Sequence, residues 1–332
     1  MFYSGGWSSR LYLVEAISSN TDLSKSISQV TKFLIRLYGG KYHGPDEAES
    51  FVTLDKATQV LIYFKCGELG LGPKIYGVFN GGRLEEYIPS HTLTNSEVQD
   101  PEIQTQLMRK LVRFHHLQVP VTNRRIDMIE KPAERFLIYE SERGRSYLCK
   151  VCAHHGQSVE DYAFDWRPEL EWFRKIVPKV QSPDVLCTND MNHMNCLIRD
   201  EPDQFGEIVT LVDYELASMN PRGRDLGNHF IMWEYKADES ESLVYPSEDV
   251  RKRIIAKYLA ATLEITGRKP IEDIDTVEHL LLESEFYALM WLVQLYSEVL
   301  QPKDPPHMMA DPKNTLVLLV SMLMYFKIQP TI

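Results

Sequence analysis

The sequence lacks an apolar stretch long enough to cross a bilayer. Its longest apolar run, residues 316–326, falls short of the roughly 20 residues that a spanning helix needs, and we interpret it as a buried helix. Cysteine is scarce too: there are 5, an odd number, and no secretory signal, which favours reduced thiols over a disulfide framework. Cys149 and Cys152 form a CxxC without a second pair, so incidental thiols are favoured over a metal site. We expect a cytoplasmic protein without a membrane span.

Basic residues are outnumbered by acidic ones. The chain has 36 Lys and Arg against 47 Asp and Glu, a net charge of −11, which repels nucleic-acid phosphates and anionic membranes. We therefore expect no nucleic-acid partner and a small or cationic substrate. With 332 residues, 44% of them apolar, the chain can bury a large core in one two-lobed domain or in two modest domains.

Strand and helix signals change along the chain. Residues 4–9 are interpreted as a glycine turn, and the elements predicted after it alternate as β, β, α, β, β: 11–14, 32–38, 53–69, 74–79 and 82–88. After Pro89 the pattern is mainly helical. This order predicts an α+β protein with a bilobal, protein-kinase-like fold. Its small β-rich N-terminal lobe would be 1–87, its larger, mainly helical C-terminal lobe 88–332, and the nucleotide cleft would lie between them.

The residue types needed for phosphoryl transfer occur in the expected order. Asn195 stands five positions after Asp190, and Asp213 ends the apolar segment Leu211-Val212 further along. A catalytic loop with this spacing uses the aspartate as base and the asparagine as a metal ligand, and Mg²⁺ prefers such oxygen ligands. Taken singly, Asp190 could be a turn residue and Asp213 a strand-end cap. Together they favour a Mg²⁺- and ATP-dependent kinase.

Longer segments resemble the choline/ethanolamine kinase family. Residues 211–215 and 220–230, the latter with Arg-Gly-Arg-Asp-Leu-Gly-Asn-His at 222–229, resemble its signature, and 71–77 with 82–90 resemble its hinge region. The similarity runs from about Gly5 to Trp291. It implies phosphorylation of the hydroxyl of choline or ethanolamine, the first step in making phosphatidylcholine or phosphatidylethanolamine, and a homodimer.

The resemblance assigns roles to individual residues. It implies that Asp190 is the base, that Asn195 and Asp213 bind Mg²⁺, and that Asp225 accepts hydrogen bonds from loop amides. The residues that it places around ATP are a glycine-rich turn, one strand arginine and a hinge segment: Gly5, Gly6, Ser8, Arg36, Glu86, Tyr87 and Ile88. Without the resemblance, Arg36 is more readily a strand-edge charge, the glycine pair a plain hairpin turn, and 86–88 a strand leading into a linker.

The substrate pocket departs from the family pattern. The family holds a quaternary ammonium among aromatic faces and carboxylates, whereas Leu216 and Met232 stand here where a tyrosine and a glutamate are usual. The predicted substrate residues are two tryptophans and three polar residues: Asn192, Glu215, Trp233, Trp291 and Gln294. Trp291 could equally be plain core. A thinner cage could take ethanolamine, whose ammonium donates hydrogen bonds, or another small amino alcohol.

Two other functions stay open. An aminoglycoside-phosphotransferase-like enzyme shares the aspartate and asparagine spacing, but the segment at 222–229 argues against it. A pseudokinase is suggested by Thr188, where a histidine is usual, and by Gln59, near the expected position of the glutamate that pairs with Arg36.

Overall fold

The computed structural model describes residues 2–5, 9–15, 32–38, 56–120, 129–155, 158, 160, 165–233 and 245–299. These residues form two compact units. The first contains the described residues up to Leu93, those at 117–120 and those from Met194 to Ala217. The second contains Thr94–His116, the described residues from 129 to His193, and those from Ser218 onward. The lobe boundary between 87 and 88 stays a prediction.

The first unit is built on a five-stranded antiparallel sheet with the order β1-β2-β3-β5-β4. Its elements are β1 (Phe2–Gly5), β2 (Ser9–Glu15), β3 (Lys32–Tyr38), α1 (Lys56–Glu68), β4 (Ile75–Phe79) and β5 (Gly82–Glu86). The predicted order is found with one strand added in front. Ser4 and Gly5, interpreted as part of a turn, instead pair with Leu11 and Arg10 of β2, along the edge of β2 that β3 does not occupy. Gly6 and Ser8 lie outside the described residues.

A second, three-stranded sheet completes this unit. Its strands, in the order β6-β8-β9, are β6 (Ser90–Thr92), β8 (Cys196–Arg199) and β9 (Val209–Leu211). β8 and β9 form a hairpin in which Cys196 lies opposite Leu211. The residues just outside this pair, Asn195 and Val212, therefore stand at one end of the hairpin.

The second unit is mainly helical. Its elements are α2 (Pro101–His115), α3 (Glu130–Glu140), α4 (Glu142–His155), α5 (Arg167–Val180), β7 (Asp184–Cys187), β10 (Ser218–Pro221), α6 (Gly223–Ile231), α7 (Glu248–Thr266) and α8 (Val277–Val299). β7 pairs antiparallel with β10. The predicted helix at 316–326 lies outside the described residues. Within the described part of the chain, no helix is both long and apolar enough to cross a membrane.

Local signals explain where these helices begin and how closely they pack. Asp100 caps α2 by accepting from the N–H groups of Glu102 and Ile103, and Pro101 occupies its first turn. Between α6 and α8, a Cβ atom on Gly227 would come within 2.5 Å of the Ser284 carbonyl oxygen. A glycine at this position lets the backbones of α6 and α8 approach closely.

Candidate active site

The loop that carries Asp190 is held by one buried carboxylate. Asp225, in α6, accepts the N–H of Thr188 at 2.7 Å through Oδ2 and the N–H of Asn189 at 2.8 Å through Oδ1. Both amides immediately precede Asp190, and buried amides need such partners. The predicted role of Asp225 as acceptor of loop amides is confirmed.

Asn189 lets the chain turn sharply just before Asp190. Its φ of 60° is left-handed, a conformation that asparagine tolerates better than most residues. Its Nδ2 donates to Ser218 Oγ at 3.0 Å, and its Oδ1 accepts from Asn220 Nδ2 at 3.1 Å. Because both partners belong to β10, the strand beside β7 fixes the direction in which the loop leaves.

Asp190 and Asn192 contact each other. Asn192 Nδ2 donates to Asp190 Oδ1 at 2.7 Å, and the Asn192 N–H donates to the Asp190 carbonyl at 2.9 Å. The Asp190 N–H lies 3.3 Å from Thr188 Oγ1. Asn192, predicted as a substrate residue, thus orients the carboxylate predicted to be the base.

In the first unit, Asp213 and Asn195 lie at the same end of the β8–β9 hairpin. Val212 N–H donates to the Asn195 carbonyl at 2.9 Å, so Asp213 follows the residue bonded to Asn195. Asp213 has a φ of 63°. Its Oδ1 accepts from the Tyr63 hydroxyl at 3.2 Å, and its Oδ2 accepts no hydrogen bond from the described part of the chain. A carboxylate with one oxygen held and one open, beside an asparagine, fits a Mg²⁺ ion.

Arg36 carries the positive charge predicted to face the nucleotide phosphates. Its Nε donates to Glu85 Oε1 at 2.8 Å and its Nη1 to Ser9 Oγ at 2.8 Å. Arg83 pairs with the same glutamate. Burial alone would raise the pKa of Glu85, but Arg36 and Arg83 hold it below its ordinary value. Glu85 of β5 therefore supplies the partner expected from α1, where Gln59 stands.

The hinge segment follows β5. The Glu86 N–H donates to the Lys74 carbonyl at 2.8 Å, and Glu86 Oε2 accepts from the Lys74 N–H at 3.0 Å, so strand pairing uses this part of the Glu86 backbone. The Ile88 carbonyl accepts from the Ser90 hydroxyl at 2.9 Å. The N–H of Ile88 has no partner among the described residues, which leaves it available to a base. Tyr87 stands between Glu86 and Ile88 in the chain. Gly5, predicted in the glycine-rich turn around ATP, is the last residue of β1 in the same unit.

The other predicted substrate residues belong to different units. Glu215 lies in the first unit, whereas Trp233, Trp291 and Gln294 lie in the second. Trp233 is buried edge-on to His229, with ring centroids 5.5 Å apart. Trp291 packs against the apolar core of the second unit.

Gln294 has a partner that bears on substrate choice. Its Oε1 accepts from Arg224 Nη2 at 2.9 Å. Arg224 is fully buried, and its Nε and Nη1 have no hydrogen-bond partner within the described ranges. The oxygen predicted to accept from an ammonium group therefore already faces a guanidinium, which disfavours a cation there.

A buried cluster of possible metal ligands lies behind the loop. His115, Cys187 and Asp225 place one ligand atom each within 4.8 Å of one another. Hydrogen bonds already occupy the cluster: His115 Nε2 lies 3.1 Å from Asp225 Oδ2, and His115 Nδ1 lies 2.8 Å from the Tyr258 hydroxyl. Burial raises the pKa of the Cys187 thiol, and a protonated thiol is a poor ligand. The cluster is better explained as a support for Asp225.

Two buried histidines make folding stability depend on pH. Burial lowers the pKa of His193 to about 4, and burial together with the charge of His193 lowers that of His229 to about 3. As the pH falls below about 6.5 the unfolded chain protonates these rings and the folded protein does not. The contribution of these two neutral rings to folding stability is therefore fully present above that pH and is lost progressively toward pH 4.

A His229→Gln variant isolates this effect. We expect it to lose about 2 kcal/mol less stability than the parent protein when the pH is lowered from 7 to 5. Urea denaturation of both proteins at the two pH values measures the difference. Equal pH dependence of the two unfolding free energies would contradict the neutral, buried state of His229.

Comparison with known proteins places this chain in one family. The sequence profile of the family described as choline/ethanolamine kinase matches residues 2–295. A choline/ethanolamine kinase from Rattus norvegicus is 31% identical over 263 residues, which cover 77% of this chain and 62% of the rat protein. The chain therefore spans less than two thirds of that relative's length.

Solved structures show the same fold. A choline kinase from Cryptosporidium parvum matches with a TM-score of 0.67 and 17% identity, over 98% of this chain and 88% of that one. An ethanolamine kinase from Plasmodium vivax matches with a TM-score of 0.61 and 16% identity, over 96% and 81%. These matches confirm the predicted α+β, protein-kinase-like fold. Because the family profile covers most of its length, the chain belongs to the choline/ethanolamine kinase family.

Proposed function

We propose that the chain transfers the γ-phosphoryl group of ATP to the hydroxyl of choline and/or ethanolamine, the first step of phosphatidylcholine and phosphatidylethanolamine synthesis. The observation that carries the proposal is the Asp190 loop, whose two preceding amides are held by the buried Asp225. A loop fixed in this way presents a carboxylate of defined direction, as a base that orients a hydroxyl requires. The names of the relatives agree with this activity.

Each chemical role falls to one residue of the chain. Asp190 would orient the substrate hydroxyl and accept its proton, with Asn192 holding its Oδ1. Arg36, kept in place by Glu85, would hold the nucleotide phosphates. Asn195 and Asp213 would hold Mg²⁺, which when bound neutralises charge on the phosphates. The hinge residues Glu86–Ile88 would hold the base of ATP.

The same observations weaken the pseudokinase alternative. Gln59 suggested an unpaired phosphate-binding arginine, but Glu85 pairs with Arg36 instead. Thr188 suggested a loosened loop, but its backbone N–H is bound to Asp225. A kinase for another small amino alcohol stays the second candidate, because Arg224 beside Gln294 alters the charge where the family would hold an ammonium group.

The test of the proposed function is ADP release by the purified protein, measured with choline and with ethanolamine as separate substrates. Turnover that requires both Mg²⁺ and one of these alcohols would support the proposal, and the ratio of the two rates would give the preference. Absence of turnover with either alcohol would overturn it. A homodimer, which analytical ultracentrifugation would test, and a cytosolic location stay predictions. The second is supported by five cysteines that form no disulfide within the described residues.

Replacing Asp213 should weaken metal and nucleotide binding together. Asp213→Ala removes the open carboxylate oxygen, so we expect the Mg²⁺ concentration for half-maximal rate to rise roughly tenfold or more. Asp200→Ala, which removes an exposed carboxylate in the same unit, is the matched control. Titration of the rate with Mg²⁺ measures both variants. An unchanged metal requirement in Asp213→Ala would exclude Asp213 as a ligand.

A further inference from the structure

We propose that Tyr63 is a positioning residue for Asp213, an inference that rests on the proposed function. The Tyr63 hydroxyl donates to Asp213 Oδ1 at 3.2 Å and accepts from the Tyr214 N–H at 2.9 Å. A single oxygen atom thus bonds the side chain of Asp213 and the backbone of the next residue. Tyr63 belongs to α1, far along the chain from both.

The two hydrogen bonds act on a strained turn. Asp213 has a φ of 63°, a left-handed conformation that a non-glycine residue keeps only where its surroundings impose it. The Tyr63 hydroxyl bonds the carboxylate of Asp213 and also the N–H of Tyr214, which belongs to the peptide group that follows Asp213. These two hydrogen bonds hold the turn on both sides. Oδ1 is held in this way while Oδ2 accepts nothing from the described residues, so the carboxylate can present one oxygen to a cation.

Tyr63 is itself firmly held. The residue is only 3% exposed. The Arg83 guanidinium carbon lies 3.7 Å from its ring centroid, and the centroid of the Tyr214 ring lies 5.3 Å away. A cation over an aromatic face is attractive, more so when buried. The hydroxyl therefore has little freedom to leave Asp213.

The same contacts link Asp213, the proposed metal ligand, to Arg36, the proposed phosphate-binding residue. Arg83 covers Tyr63 and also pairs with Glu85, which in turn holds Arg36. The residue that orients the metal ligand and the residue that orients the phosphate-binding arginine thus share one guanidinium. Loss of the Tyr63 hydroxyl removes its hydrogen bonds to Asp213 Oδ1 and to the Tyr214 N–H. The ring stays under Arg83, so Tyr63→Phe tests the contact with Asp213 and not the one with Arg36.

The experiment compares Tyr63→Phe with Tyr214→Phe. The control removes a second buried tyrosine hydroxyl nearby, which bonds the Leu211 carbonyl at 2.6 Å and not the Asp213 carboxylate. Binding of Mn²⁺–ADP is measured by calorimetry and unfolding by thermal melting. Both variants should melt at lower temperature, since each loses a buried hydrogen bond. Only Tyr63→Phe should bind Mn²⁺–ADP more weakly, by roughly tenfold, as expected when the partner of a metal ligand is removed.

The outcomes separate this inference from the proposed function. Parental affinity in Tyr63→Phe, or an equal loss of affinity in Tyr214→Phe, would overturn the role of Tyr63. Asp213→Ala, measured in the same assay, tests the metal site itself. Weak Mn²⁺–ADP binding in Asp213→Ala together with normal binding in Tyr63→Phe would leave the proposed function standing and remove only the role of Tyr63.

Discussion

Asp190→Ala should lower kcat by roughly 10²–10⁴-fold, the usual contribution of a positioned general base. The carboxylate that would accept the hydroxyl proton is gone, while the loop amides keep their bonds to Asp225 and the fold should persist. Binding of Mg²⁺–ATP should change little, because the residues assigned to phosphate and metal are Arg36, Asn195 and Asp213. Steady-state kinetics and calorimetry with the nucleotide measure the two quantities.

Two further variants make this result specific to Asp190. Asp249→Ala removes an exposed carboxylate at the start of α7 in the same unit, and its kcat should match that of the parent protein. Asp190→Asn keeps the shape and should be almost as inactive as Asp190→Ala, since an amide cannot accept the proton. Substantial turnover in Asp190→Asn would assign the base to another residue.

Local patterns explain what could be predicted from the sequence. Strands are predicted at 74–79 and 82–88, and the Asn80-Gly81 pair between them is a hairpin signal because Gly81 takes the positive φ, 89°, that such a turn needs. The role of Asp225 was also predictable, because the segment at 222–229 resembles a family signature in which this position supports the loop. Such features depend on residues close together in sequence.

Pairings between distant residues could not be predicted in the same way. Glu85 reaches Arg36 only because β3 and β5 are neighbours in a register that sets Arg36 opposite Arg83, and register is not visible in one strand. Arg83 and Glu85 stand two positions apart on one face of a predicted strand, but they pair with each other and so give no signal for Arg36. The contact of Tyr63 with Asp213 joins α1 to the β8–β9 hairpin and has no local signature.

The substrate residues are harder still to predict from the sequence. Trp291 lies in a long apolar helix, at a spacing that a core residue and a pocket residue share. In the structure it packs against the apolar core. The prediction for Gln294 rests on its position in the sequence alone, whereas its partner Arg224 is a buried cation that composition does not reveal. Long-range electrostatics therefore decide this pocket more than the local sequence does.

Asp225→Asn should damage stability and turnover together. Asp225 is fully buried and lies within hydrogen-bond distance of three groups: the N–H of Thr188, the N–H of Asn189 and His115 Nε2. An asparagine replaces one carboxylate oxygen with an NH₂ group, so at least one loop amide would face a donor. We expect about 2–4 kcal/mol of lost stability and a kcat lower by roughly 10-fold or more, because the loop no longer fixes Asp190.

Asp275→Asn separates the two effects. The Asp275 side chain is only 4% exposed; it accepts from the Ile271 N–H at 2.7 Å and pairs with Arg222, but it lies outside the Asp190 loop. Urea denaturation should show that both variants are destabilised, whereas kcat measured well below their unfolding transitions should fall only in Asp225→Asn. An equal loss of kcat in Asp275→Asn would mean that turnover follows general stability. A normal kcat in Asp225→Asn would mean that the Asp190 loop keeps its geometry without this carboxylate, and the observation that carries the proposed function would lose its force.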